Sequence, residues 1–513
     1  MTRALSFWGI VLAICACGDG PPGGAAREFA ANPNGLSFEN YSNDGVTNLT
    51  SVEMRRLFGD AVCASLAGGE CTLTPAASQW MAQANGMMNG GHCFGISHFV
   101  SGVYSGAINP QAFGGATAYE LSKGNEAVQR EIAFWMATQL TSPANASIVG
   151  ARPIPSQMLN ALVEGWGRGE QFTLAFFNRT GAGGHAVTPI SVTSSATGLY
   201  ELKLYDNNHP GVERTLLVDP ATEEWAYSAA TNPNEPESTY DGDASTKSLF
   251  IVPLKDAQGP QQCPFCGDAS ATSAMSGERV IGATGGGDLR IDDGAGHSIG
   301  TDGNVLTNKF PGARAERPIS ADLYKDNTEP IYYLPGGTDL HVVLDGKHLT
   351  STAASEVAVV GPGYALAVTD IALGPGQRDT IDVSAMGDGL TYSVAGTESP
   401  TVLHGFSTSG ADFLVAAKVA SDQNGSVFSL TRNAMTLRLT FLGAGSTRYG
   451  FVLARIEANA VQKFLHVGES LGGDATLVID LLSWPGNGQP LTVGIDMGSD
   501  GTVDSTVQLA DED

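Results

Sequence analysis

Positive charge is scarce in this chain. Its 513 residues hold 27 Lys and Arg against 53 Asp and Glu, a formal net charge of −26. A surface of that sign repels nucleic acid and anionic lipid, so a nucleic-acid function is set aside. The acids are spread out and read first as the solubilising surface of a secreted protein. Long apolar runs are missing as well: after the first 17 residues, no stretch is long and apolar enough to cross a bilayer as a helix. Metal and phosphate signatures are also lacking. Cys263-Pro264-Phe265-Cys266 has no second CxxC and no suitable His pair beside it, so no zinc or other metal site is expected. Gly285-Gly286-Gly287 is followed by neither a helix nor a Lys, unlike a phosphate loop. Asp496, Asp500, Gly501 and Asp504 lack the spacing and the closing Glu of a calcium loop and read as a turn. What is present is a 42% apolar chain with aromatics throughout, which excludes a mostly disordered protein. Its length suits about three domains.

The first residues do not belong to a fold. Arg3 gives a positive start, Leu5 to Ala16 is a short apolar run, and Ile14-Cys15-Ala16-Cys17-Gly18 follows. The run is too short for a spanning helix and suits a signal segment. Its end resembles a bacterial lipobox, which implies cleavage before Cys17 and lipidation there. Acyl chains would hold the mature protein to a membrane, each buried methylene contributing about 0.8 kcal/mol. The expected location is the extracytoplasmic face of a cell envelope. Residues 18–45, rich in Gly, Pro and Ala near their start, are expected to be a flexible leash.

Residues 46–262 are expected to form an α+β domain. Helical spacing follows Thr74-Pro75, with Trp80, Met81 and Ala84. Ile96, Phe99, Val100 and Val103 repeat the period, as do Val128, Ile132, Trp135 and Met136, and then Met158, Leu159 and Leu162. From Gln171 the pattern changes to strands, at 172–177, 186–192, 199–205, 214–218 and 249–254. Beyond residue 275 short strands recur between turn residues, as in β-sandwich modules. These are divided near residue 405 into 275–405 and 406–513. A helical period is expected only around 451–462.

Cysteine arithmetic singles out one thiol. Without the signal, Cys17, Cys63, Cys71, Cys93, Cys263 and Cys266 remain. Cys63 with Cys71, and Cys263 with Cys266, are expected disulfides in an exported protein. Cys17 is the lipid site, which leaves Cys93 free. Cys93 stands where a Gly-rich loop, Asn89-Gly90-Gly91-His92, meets a helix. Unpaired N–H groups and the helix dipole at such a start favour thiolate and can hold an oxyanion. Gly90 and Gly91 let backbone approach closely. A thiolate needs a base. His98 lies five residues on and points away around the helix. His185, in Gly183-Gly184-His185-Ala186-Val187 at the start of a strand, is the better candidate. If the hairpin turns at its midpoint, between Ser195 and Ala196, Asp206 falls opposite His185 and orients it. Asn207 is the second candidate orienter.

Three motifs in this order resemble the papain-like cysteine peptidase superfamily. They are Gly91-His92-Cys93-Phe94-Gly95, Gly184-His185-Ala186-Val187, and Tyr205-Asp206-Asn207-Asn208-His209-Pro210-Gly211. The likeness is to bacterial branches, including the bacteriocin-processing double-glycine peptidases, and spans roughly residues 55–260. It implies a Cys93–His185–Asp206 triad that hydrolyses peptide or protein substrates through an acyl-enzyme, with no metal or organic cofactor. Family members carry an oxyanion-donating Gln about six residues before the nucleophile; Met87 stands there, and Asn89, the nearest, Asn85 or Gln83 would substitute. Phe94 replaces the usual Trp. The same layout serves amidases and transglutaminase-like acyl transferases, and an inactive domain of this kind could serve as an adhesin or scaffold. The C-terminal β modules are expected to bind substrate or a surface partner.

Overall fold

The computed structural model describes residues 24–512 apart from 151, 180, 182, 231–235, 268–276, 304, 321–328, 421–423, 444–445 and 473. The segment expected to be a signal and Cys17 lie outside the described residues. Two short elements come first, β1 (Ala25–Ala26) and α1 (Ala31–Asn34). A helical layer follows: α2 (Ser51–Phe58), the small hairpin β2 (Cys63–Ser65) and β3 (Thr72–Leu73), then α3 (Pro75–Met87), α4 (Cys93–Tyr104), α5 (Glu126–Ala137), α6 (Ala144–Val149) and α7 (Pro155–Gly167). The sheet comes next, with β4 (Phe172–Phe176), β5 (His185–Ser194), β6 (Tyr200–Tyr205), β7 (Glu213–Asp219), β8 (Glu224–Ala229), β9 (Ser238–Asp243) and β10 (Leu249–Pro253), before α8 (Leu254–Ala257). Its order is β10-β4-β5-β6-β7-β8-β9, with β1 added on β5. Every pairing in it is antiparallel.

This half is α+β, as the change of period at Gln171 implies. Thr74 caps α3 by accepting from the Ala77 N–H at 3.2 Å, with Pro75 in the first turn. α4 is the central helix and is buried from Cys93 through Gly102. Gly95 explains how α5 comes so close: a Cβ there would stand 2.3 Å from the Ile132 carbonyl oxygen. β4 is buried on both faces. Leu174 and Phe176 share a core with Met158, Leu159 and Leu162 of α7. Ala175 joins the core that contains α4 and α5. The disulfides Cys63–Cys71 and Cys263–Cys266 are both present, and Cys93 is the free cysteine among the described residues.

The leash expected over residues 18–45 is replaced by packed chain from residue 25 onward. From Ala25 the chain pairs with β5, and Phe29, Leu36 and Tyr41 are buried in the main core. The Leu36 N–H donates to the Tyr205 hydroxyl at 3.0 Å. The Gly- and Pro-rich beginning of the segment masked these anchors, which are spaced too irregularly to give a helix or strand period.

The second half is β-rich and antiparallel throughout the described residues. Nine strands form one sheet, from Arg314–Glu316 at one edge to Ala460–Gly472 at the other, and eleven form a second, from Val305–Asn308 to Ser505–Leu509. One apolar core takes residues from both sheets, from Ile281 to Leu509. The division expected near 405 falls inside the strand Thr401–Ser407, which pairs with Tyr364–Leu373 on one side and Asp412–Ala420 on the other. Residues 275–405 and 406–513 are therefore parts of the same two sheets. The helical period expected at 451–462 is instead a hairpin, Ser446–Glu457 with Ala460–Gly472. Phe451 and Leu453 are buried there while Val452 is exposed, a period of two.

The halves meet along α3. Gln83 Nε2 donates to the Ala358 carbonyl at 3.1 Å, and Gln79 Nε2 to Glu356 Oε1 at 3.2 Å. Phe265, inside the CxxC loop, packs against Phe58 and Trp80, and its carbonyl accepts the Gly363 N–H at 3.1 Å. Among the described residues no helix is long and apolar enough to cross a membrane.

Candidate active site

Cys93 is the first residue of α4. Its N-cap, His92, makes no side-chain cap bond to the first-turn amides, so those N–H groups keep their polarity for another acceptor. The His92 ring is occupied elsewhere: its Nδ1 meets the Tyr41 carbonyl at 2.7 Å and its Nε2 meets Asn48 Oδ1 at 2.8 Å. Burial lowers its pKa to about 4, and the two contacts hold the ring in place as a strut. Gly91 has a φ of +132°, where a side chain would be strained, and so sets the approach to the helix.

His185 opens β5, and Asp206 follows the last residue of β6. His185 Nε2 and Asp206 Oδ1 are 2.8 Å apart, and both residues are fully buried. They meet diagonally rather than face to face. Thr188 pairs with Tyr205 and Pro189 with Leu204, and a bulge at Ile190 shifts the register of the remainder of the hairpin. Continuing the Thr188 register puts Asp206 opposite Val187, two residues from His185. The expectation of direct opposition placed the turn too early; side chains of this length close the diagonal.

Charge explains how the pair survives burial. For His185, burial pushes the pKa down, but the Asp206 charge and hydrogen bond, with Cys93 beyond, outweigh it and lift the imidazole to about 10. For Asp206, burial pushes up; His185, the Tyr227 hydroxyl and the Asn208 N–H pull harder, leaving it near 2. Tyr227 Oη donates to Asp206 Oδ2 at 2.6 Å and the Asn208 N–H to Oδ1 at 2.9 Å. Tyr227 sits on β8, a strand the sequence pattern does not reveal. His185 Nδ1 makes no aligned hydrogen bond, although Cys93 acts on the ring as a hydrogen-bonding neighbour. The imidazole thus stands between thiol and carboxylate.

Asn207 does not orient His185. Its Nδ2 donates to the Cys93 carbonyl at 3.2 Å, Ser97 Oγ at 3.3 Å and the Ala186 carbonyl at 2.8 Å, which ties the start of α4 to β5. Gln83 is committed to Ala358, as described, and belongs to the junction between the halves. Asn89 is exposed and borders a cavity of about 550 Å³ shared with Met87, Gly90 and Pro318. Neither side chain bonds near Cys93. His98 is turned away, with Nδ1 on Thr173 Oγ1 at 2.8 Å.

One contact has no sequence signal. The Cys93 thiol donates to the Ile319 carbonyl oxygen at 3.4 Å. The Ile319 N–H in turn donates to Gln139 Oε1 at 2.6 Å. Neither Gln139 nor Ile319 stands in a motif.

No family model matches the chain, no curated protein matches it, and no solved structure matches it.

Proposed function

We propose that the chain is a cysteine peptidase of the papain-like kind. The observation that carries this is a free thiol at a helix start beside an imidazole whose other nitrogen bonds a buried carboxylate. In this reading His185 stands as the imidazolium beside a Cys93 thiolate, and the sulfur attacks a peptide carbonyl. First-turn amides of α4 stabilise the oxyanion in place of the absent Gln. The C–N bond breaks, the leaving amine takes the proton from His185, and water then hydrolyses the thioester. Asp206 holds the ring and its positive charge throughout. Lipidation at Cys17 and an envelope location rest on the lipobox resemblance. The β half would present substrate or hold a surface partner.

One observation favours a second reading, an adhesin or scaffold built on an inactive domain of this kind: Cys93 and His185 are both fully buried. Incubation with a peptide mixture separates the two, with new termini read by mass spectrometry for the parent, Cys93→Ser and His185→Ala. Products from the parent alone support the peptidase. Identical products from all three overturn it. So does the absence of products from a chain whose cleft has been opened as described next.

A further inference from the structure

Three candidates outside the triad carry chemistry. Asp288, Asp302 and His348 lie within reach of one another, but Lys347 already pairs with Asp302 at 2.6 Å and His348 with Asp288 at 2.6 Å. The cavity between α3 and the β half is larger, and its walls include Gly90 and Pro318. The third candidate is the segment that forms part of that wall, and it is held most specifically.

Residues 317–320 leave the edge strand Arg314–Glu316 of the β half and cross the start of α4. One contact anchors the strand end before them and three fix the segment itself. Asn145 Nδ2 donates to Glu316 Oε2. Gln139 accepts the Ile319 N–H at 2.6 Å, and the Ile319 carbonyl accepts from Cys93 Sγ at 3.4 Å. Ser320 lies against Gly90, where an added Cβ would come within 2.7 Å of Ser320 Oγ and 3.3 Å of its carbonyl oxygen. Ile319 is fully buried, and its side chain belongs to the apolar core of the first half rather than to that of the β half. A strand-edge segment of one half therefore inserts an aliphatic side chain into the other, with its backbone hydrogen-bonded on both sides of that residue. An extended peptide bound in a cleft is held in this way. The Ile319 carbonyl meets the sulfur through its oxygen, so the contact is a hydrogen bond to the thiol and not an attack geometry.

We propose that Pro318-Ile319-Ser320 is an internal occupant of the substrate cleft that keeps Cys93 latent, and that the cleft takes an extended peptide with a branched aliphatic residue beside the sulfur. The proposal rests on the peptidase reading for its biological sense, but its test does not require turnover. The cavity that Pro318 and Gly90 border gives the segment room to move. Displacing the segment exposes sulfur and imidazole together. Gln139 then becomes the acceptor for a substrate N–H.

The experiment is alkylation of Cys93 by iodoacetamide in the full chain, followed by mass spectrometry of the peptide containing residue 93. The folded parent should react at least 100-fold more slowly than the unfolded chain. Ile319→Asp puts a charge in an apolar site and should raise the rate at least tenfold. Replacement of Pro318, Ile319 and Ser320 together by Gly should do the same, each variant being checked for the parent's circular dichroism. A synthetic peptide of residues 316–320 should protect Cys93 in the opened chain, and the same peptide carrying Ile319→Asp should not. Fast alkylation of the folded parent overturns the proposal whether or not the variants fold. Unchanged rates in folded variants, or no protection by the Ile peptide, also overturn it. If alkylation and protection behave as expected while no peptide is cleaved, the occupant stands and the peptidase reading falls.

Discussion

His185 Nε2 and Asp206 Oδ1 lie 2.8 Å apart with neither side chain reached by solvent, on residues that the strand register sets two positions out of opposition. A buried pair of this kind makes folding depend on pH from both ends. His185 is raised from 6.5 to about 10, so its contribution is complete below pH 6.5 and is lost as pH rises through about 10. Asp206 is lowered from 3.8 to about 2, so its contribution is complete above pH 3.8 and is lost as pH falls through about 2. Asp206→Asn should therefore lose the most stability, relative to the parent, between pH 3.8 and 6.5. The loss should be on the order of 3 kcal/mol, because a buried charge loses its partner. Urea melts at a series of pH values check this; a difference that grows towards pH 10 contradicts it.

Tyr227→Phe removes one donor from Asp206 and leaves Oδ2 without its hydroxyl partner. Stability should fall by about 1.5–3 kcal/mol, the range for a hydrogen bond to a charged group. The Asp206 pKa should rise from about 2, moving the acid limb of the stability profile to higher pH. Acid titration of the folded variant, followed by near-UV circular dichroism, reads the shift.

Gly95→Ala tests helix contact rather than chemistry. The new Cβ meets the Ile132 carbonyl oxygen at 2.3 Å and Met136 Cβ at 2.9 Å, and the first of these is helix backbone that cannot rotate away. Overpacking of this sort costs about 1–3 kcal/mol. The denaturation midpoint should drop, with no change in the slope of the transition.

Asn207→Ala should separate positioning from proton transfer. The three acceptors of Asn207 Nδ2 span α4 and β5, so its loss frees that helix from that strand. In the chain opened at Ile319, the Cys93 alkylation rate should fall several-fold while its pH midpoint stays put. A shifted midpoint would mean that Asn207 acts on the imidazole after all.

The parts of the site legible in the sequence are those made by local pattern. Cys93 at a helix start follows from the Gly90-Gly91 breaker and the Ile96, Phe99, Val100, Val103 period. The hairpin from His185 to Asp206 follows from alternation, although the bulge at Ile190 moved its register, and a bulge leaves no mark in apolar spacing. Tyr227 was hidden because β8 is a short strand at 224–229 with mixed polarity. Ile319 was hidden for a deeper reason. It lies 226 positions from Cys93, its neighbours read as an ordinary loop, and the docking of the two halves on each other brings it to the thiol. The division at 405 failed in a related way, since turn residues recur just as often inside a continuous sheet as between modules.

The pairing of Ala25 with Val192 fixes how far the first paired residue would stand from an anchor on Cys17. Ala25 comes only eight residues after Cys17, and a fully extended chain covers at most about 3.3–3.6 Å per residue. An acyl anchor on Cys17 therefore allows a reach of roughly 28 Å, in place of the long sweep a 28-residue tether would give. Lengthening the chain between residues 17 and 25 would raise that reach without touching Cys93, His185 or Asp206.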